Sequence, residues 1–332
     1  MNNLIQEKLT LFIENYQAIK GDFIWHDNMA KRLAALCYAM EGKQVNIESI
    51  RESHNLMKEE LSVFSGFRGN LAIYIAASLS LRDDPSQLLT DTLHVHDLLK
   101  DAKFWSGDYL SATAFEIAIS AGKTDYNQIV TRTREFYDEM KSYHRFHIGQ
   151  DDYIFMAMMA LSNLNVHDSA LKANQLFREL KRELSSFISS GNVLHLAQML
   201  VLGESTEACV DNMLRLNKVL RKRKVRLDKT YIAPSLGVLG LLPVDHYTLA
   251  EDLINARDYL RAQKGFGAFS VSIQELMLYA VSSIIYAYAR DKDNIARAGA
   301  VTSVTNLIIA QQVAMMVAIA TATSAAAASG GC

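Results

Sequence analysis

Proline is scarce in this 332-residue chain, with three occurrences, and no Pro/Gly/Ser-rich linker marks a place to divide it. Strand-like alternation bounded by turn signals is missing too, which argues against a sheet. The cysteines, Cys37, Cys209 and Cys332, are odd in number and widely spaced, with no CxxC pair. That argues against both a disulfide framework and a cysteine-based zinc site. Neither sign of charge dominates: 34 basic residues face 36 acidic ones, which removes the simplest case for nucleic acid or an acidic membrane surface as a partner. The opening residues Met1-Asn2-Asn3-Leu4 hold no basic stretch, and Gln6, Glu7, Lys8 and Glu14 interrupt the apolar ones. A secretory leader is therefore not expected, and the expected compartment is a reducing cytoplasm.

What the chain does have is a repeat. A glycine followed by an amide or a carboxylate recurs at Gly69-Asn70, Gly107-Asp108, Gly149-Gln150 and Gly191-Asn192, at intervals of 38, 42 and 42 residues. Glycine supplies a loop position, and an Asn or Asp just after it can accept from the free N–H groups at a helix start, so each anchor is expected to open a helix. The segments 71–81, 110–119, 153–161 and 193–202 are rich in Ala and short of charge, the pattern of helices buried on most sides. Amphipathic stretches follow them. Ile129, Val130, Phe136, Tyr137 and Met140 share one face while Arg132, Arg134, Glu135 and Asp138 take the other, and Ala173, Leu176, Phe177, Leu180, Leu184 and Phe187 repeat the stripe. Segments 25–61 and 231–264 read as degenerate copies. One more buried helix is expected at 273–289, opened by Ser272 with Glu275 at capping-box spacing. The expected fold is all-α: tandem helical hairpins of about 40 residues, six and part of a seventh, over residues 1–297. A closed α/α toroid is preferred over an open α-solenoid, because the inner helices carry too little charge to line an exposed concave face.

Phe-Ile-Trp-His-Asp-Asn at 23–28, Phe-Ser-Gly-Phe-Arg-Gly-Asn at 64–70 and the Ala/Ser-rich C-terminal tail carry a resemblance. Over essentially its whole length the chain resembles the Firmicutes proteins grouped as domain of unknown function 4003. The resemblance implies a bacterial, cytosolic protein and brings no reaction, cofactor or site residue with it.

Asp152 is the leading site candidate, because the residues three after the other anchor glycines are Ala72, Leu110 and Leu194. A carboxylate in that apolar column is expected to be buried and paired with a basic or amide group of a neighbouring unit, and Asp151 beside it would raise the pKa of one of the two. Either could serve as a catalytic acid or base; equally, both could decorate the first turn of a helix, where the dipole favours negative charge. Arg68, Asn70, Asp108 and Asn192 fall at the same end of their hairpins and form a candidate ligand-binding set, with Arg68 placed for an anionic group. In a toroid these groups would converge on one opening.

Other features have competing readings. His94 and His96, two apart, point to different sides of a helix. His144 and His147 are three apart and close in sequence to Asp151 and Asp152, but no metal site or cofactor is assigned. Trp25 and Trp105 read as wedges between hairpins, or else as stacking platforms. Seven basic residues and no acid lie between Arg215 and Arg226, a solvated helix end or an anion site. Residues 298–332 are uncharged and are expected to pack on or in the repeat, with membrane insertion as the alternative. With no catalytic constellation in view, a binding or scaffold protein for a protein or small-molecule ligand is favoured. The alternatives are an α/α-toroid enzyme using Asp151 or Asp152, and a membrane-associated protein held by 298–332.

Overall fold

The computed structural model describes residues 1–61, 66–69, 71–121, 125–184, 188–227 and 232–289. They form fourteen α-helices and two short 3-10 turns, with no strand among the described residues. Asn70, Phe187, Tyr231 and the whole of 298–332, including Cys332, lie outside them. The described residues divide into two compact units. One is Glu7–Val130; the other joins Met1–Gln6 to the residues from Thr131 onward.

In the Glu7–Val130 unit, α1 (Asn3–Ile19) precedes the hairpins α2 (Asn28–Met40) with α3 (Ile47–Glu60) and α4 (Ala72–Ser80) with α5 (Pro85–Asp101), then α6 (Asp108–Ser120) and the start of α7 (Tyr126–Tyr143). The other unit holds the rest of α7, then α8 (Tyr153–Leu161) with α9 (Val166–Leu184), α10 (Ser190–Leu202) with α11 (Glu207–Lys222), α12 (Pro234–Leu241) with α13 (His246–Arg261), and α14 (Ile273–Ala289). The two expected helix types alternate. From Tyr153 to Ala160 every residue of α8 is buried, whereas α9 buries one stripe, including Ala170, Ala173, Leu176, Leu180 and Leu184. Within the second unit α10 packs on the buried helices α8 and α12 and on the half-exposed α9 before it, and α12 packs likewise on α10, α14 and α11. That is how a hairpin with one apolar face covers it in a tandem array. Among the described residues no helix is long and apolar enough to cross a membrane.

Two details hold this packing close. A Cβ on Gly240 of α12 would come within 2.6 Å of Met213 Cβ and 3.0 Å of the Cys209 carbonyl oxygen, so α12 and α11 touch backbone to backbone. The second detail is a repeated clamp. Arg132, Lys172 and Asn212 stand 40 residues apart, and each reaches from a half-exposed helix to the loop that ends the next buried one. Arg132 donates to the carbonyls of Ala160 at 3.1 Å, Ser162 at 3.2 Å and Leu164 at 2.9 Å. Lys172 donates to Ser205 at 3.1 Å and Asn212 to Val244 at 2.9 Å. These bonds occupy carbonyls that a helix end leaves without an internal partner.

Two expectations need correction. The residue after an anchor glycine does not cap its helix: Asp108 is already the first residue of α6, which has no side-chain cap, and in α10 the cap is Ser189, whose hydroxyl accepts the Asn192 N–H. Capping requires the extended backbone of the residue before the helix, which Ser189, Asp27 and Asp245 have. Nor are the tryptophans wedges. Trp25 is 92% exposed and Trp105 74%, while Phe104 takes the buried position at 5%. Lys103 just before it, with φ of 65°, turns the loop sharply there.

Candidate functional site

The loop after α7 closes with a 3-10 turn, Gln150–Asp152, that runs directly into α8. Its last residue, Asp152, is fully buried. Asp152 Oδ2 accepts the Gly149 N–H at 2.8 Å, a bond that ties the carboxylate back over the start of the turn. Its Oδ1 accepts Gln198 Nε2 of α10, also at 2.8 Å, so the partner is an amide from the neighbouring hairpin. Asp151 lies outward of it, with a side chain 49% exposed. Gly149 makes room for that carboxylate: a Cβ there would stand 2.8 Å from Asp151 Oδ1.

His195, one turn before Gln198 on α10, completes the group. Its Nε2 is 3.3 Å from Asp152 Oδ1 and 3.5 Å from Asp151 Oδ2. Neither contact is aligned as a hydrogen bond, and Nε2 is buried without a hydrogen-bond partner, as is Gln198 Oε1. The Phe155 ring covers the imidazole at 5.0 Å between centroids. Burial by itself would lower the His195 pKa, but Asp152 and then Asp151 outweigh it and hold the imidazole above its ordinary value. Asp151 is raised as well, by burial and then by the charge of Asp152, with His195 opposing.

The ligand atoms of Asp151, Asp152 and His195 all lie within 4.8 Å of one another. Chemically the trio can hold a cation or exchange a proton. His195 and Gln198 escape a reading that looks only for histidine pairs or charged residues, yet a signal exists. They stand four and seven residues after Gly191, where the other units carry Ile73, Ser111 and Tyr153, then Ala76, Ala114 and Met156. Gln198 breaks an apolar column as Asp152 does, His195 is the one titratable imidazole in its own, and at a spacing of three they share a face of α10.

The remaining candidates separate. His144 is buried, with Nε2 unpartnered and its ring 4.7 Å from Phe177, and His147 is exposed; the third member of the cluster is His195 instead. Asn192 sits in the first turn of α10, where its N–H bonds to Ser189. In the other unit, the Arg68 guanidinium donates to the Lys58 carbonyl, and Asp108 Oδ1 is 3.7 Å from where a Cβ on Gly69 would lie. Burial raises the Asp108 carboxyl. That unit also holds a carboxylic acid with no counterpart among the candidates: Glu116 of α6, fully buried, with neither oxygen hydrogen-bonded. Burial pushes it up to about 8, against the pull of Arg82 and the Tyr74 hydroxyl. The basic stretch lines a cleft of about 600 Å³ beside α9 and α11, but Glu183 and Asp211 share that lining and Arg215 Nε is 2.9 Å from Asp211 Oδ2.

No curated protein and no solved structure matches the chain. One family does, over most of the length and across both the hairpins and the Asp151–Asp152–His195 cluster: residues 15–313 match the family described as "Protein of unknown function (DUF4003)", and the chain belongs to it.

Proposed function

We propose that this is a ligand-binding protein whose working site is the Asp151–Asp152–His195 cluster, and that its ligand is a cation. The observation that carries this reading is the fixed orientation of Asp152. Two hydrogen bonds hold a fully buried carboxylate so that Oδ1 lies 3.3 Å from the same His195 Nε2 that Asp151 Oδ2 approaches at 3.5 Å. A carboxylate that merely decorated a helix start would not need an amide from the next hairpin. A cation placed among these groups offsets the cost of holding two acids together in a buried setting.

The test is calorimetric titration of the full-length chain with an organic cation, spermidine, and with divalent metal ions at matched ionic strength, beside Asp151→Asn. Saturable binding to the wild type, weakened about tenfold or about 1.4 kcal/mol by the substitution, is expected. Absence of saturable binding by any of these cations overturns the proposal. A second reading, an enzyme working at the same cluster, draws support from the 3.3 Å approach of His195 Nε2 to Asp152, a pairing that can pass a proton. A bacterial and cytoplasmic setting, and closure of the hairpins into a ring, belong to the proposal as expectations from sequence. Subcellular fractionation and solution scattering test them.

A further inference from the structure

We infer that Asp151, Asp152 and His195 form a site for a divalent transition-metal ion of the zinc class, an inference that rests on this cluster being the working site. The spacing of the ligand atoms points there first. His195 Nε2 is 3.3 Å from Asp152 Oδ1 and 3.5 Å from Asp151 Oδ2. Ligands about 2.1 Å from a tetrahedral zinc ion stand about 3.4 Å apart along the tetrahedron's edges. An ammonium group makes a different demand: acceptors about 2.9 Å from its nitrogen stand about 4.7 Å apart, too wide for either His195 distance. The two His195 distances therefore suit a bare metal ion better than an ammonium group.

The donor set points the same way. Magnesium and calcium take oxygen ligands, whereas imidazole nitrogen beside carboxylates suits zinc and its first-row neighbours. His195 is 9% exposed, yet its Nε2 has no hydrogen-bond partner while facing two carboxylates. A buried ring nitrogen held at ion-pair distance from two carboxylates, without a hydrogen bond to either, is better satisfied by an ion that all three coordinate. Gln198 supplies the outer support. Its Nε2 holds Asp152 Oδ1 at 2.8 Å, and its fully buried Oε1 is likewise without a partner. Three protein ligands leave a fourth position, the arrangement of zinc sites that bind a water or substrate. Solvent reaches the cluster on the side of Asp151, the one half-exposed member.

Metal-stripped full-length protein is titrated with Zn²⁺ by calorimetry and with Co²⁺ by visible absorption. The expected result is one ion per chain and the intense visible bands of four-coordinate cobalt. His195→Gln and Asp151→Asn are expected to weaken zinc by more than about a hundredfold and to abolish the cobalt bands. Gln198→Ala is expected to weaken zinc about tenfold to a hundredfold, as the loss of an outer hydrogen bond does. Asp151 is half exposed, so its substitution keeps the test valid if the His195 variant fails to fold. Failure of stoichiometric uptake overturns the inference, and so does uptake that survives both ligand substitutions. Spermidine binding that responds to Asp151→Asn without zinc binding would overturn the metal and leave the cation site standing; binding of neither would remove both.

Discussion

Asp152 and Glu116 are both fully buried acids, and their surroundings make them opposites. Asp152 is paired on both oxygens, so removing it strands the Gly149 N–H and the Gln198 amide and leaves His195 without its nearest counter-charge. Asp152→Ala is accordingly expected to cost about 3 kcal/mol, read as a fall in the urea midpoint with an unchanged slope. Glu116 has no hydrogen bond to lose. Its folded pKa of about 8 lies above the 4.5 of a free glutamic acid, so between those values the folded chain keeps a proton that the unfolded chain has released. Stability from this group is therefore lost as pH rises from the lower value to the higher. Glu116→Gln keeps the neutral shape and has no proton to lose. Melting curves of the variant are expected to match the wild type near pH 4 and to show about 4 kcal/mol more stability near pH 8. A wild-type advantage at the higher pH would mean that Glu116 is folded as a charged, paired group.

Between elements, the clamp from Arg132 to the end of α8 is the contact whose loss is easiest to isolate. One guanidinium serves three carbonyls, and hydrogen bonds from a charged donor contribute more than neutral ones. Arg132→Ala should destabilise the chain by about 2 kcal/mol and raise hydrogen exchange at the end of α8 first; thermal melts with exchange mass spectrometry read both. Equal exchange throughout would show that the loop holds itself. The start of α14 shows how far a local motif reaches. Ser272 accepts the Glu275 N–H at 3.1 Å as the capping-box spacing predicts, and Glu275 Oε1 accepts the Tyr279 hydroxyl one turn further on.

At the scale of the molecule, helix type and hairpin order are legible in the chain because both depend on local periodicity. Uncharged Ala-rich segments can only be buried, and striped segments can only be half buried, so the alternation of α8 with α9 or α10 with α11 follows from residue order. Asp152 is legible for the same reason, as a carboxylate in a column of Ala and Leu. Its partners are marked just as visibly, since His195 and Gln198 interrupt the apolar helix α10. What residue order leaves open is which interruptions meet. That depends on the rotation and axial offset of α8 against α10, set by side-chain packing between them, and no spacing along one helix encodes it. The exposure of Trp25 and Trp105 was decided in the same way, by loop geometry that let Phe104 take the buried position in the second case. The sequence by itself determined that the chain folds as alternating buried and half-exposed helices and that a buried acid opens α8. Only the tertiary structure decided that this acid faces a histidine and an amide of the next hairpin, because contact between residues more than forty apart is a property of packed surfaces and not of periodicity.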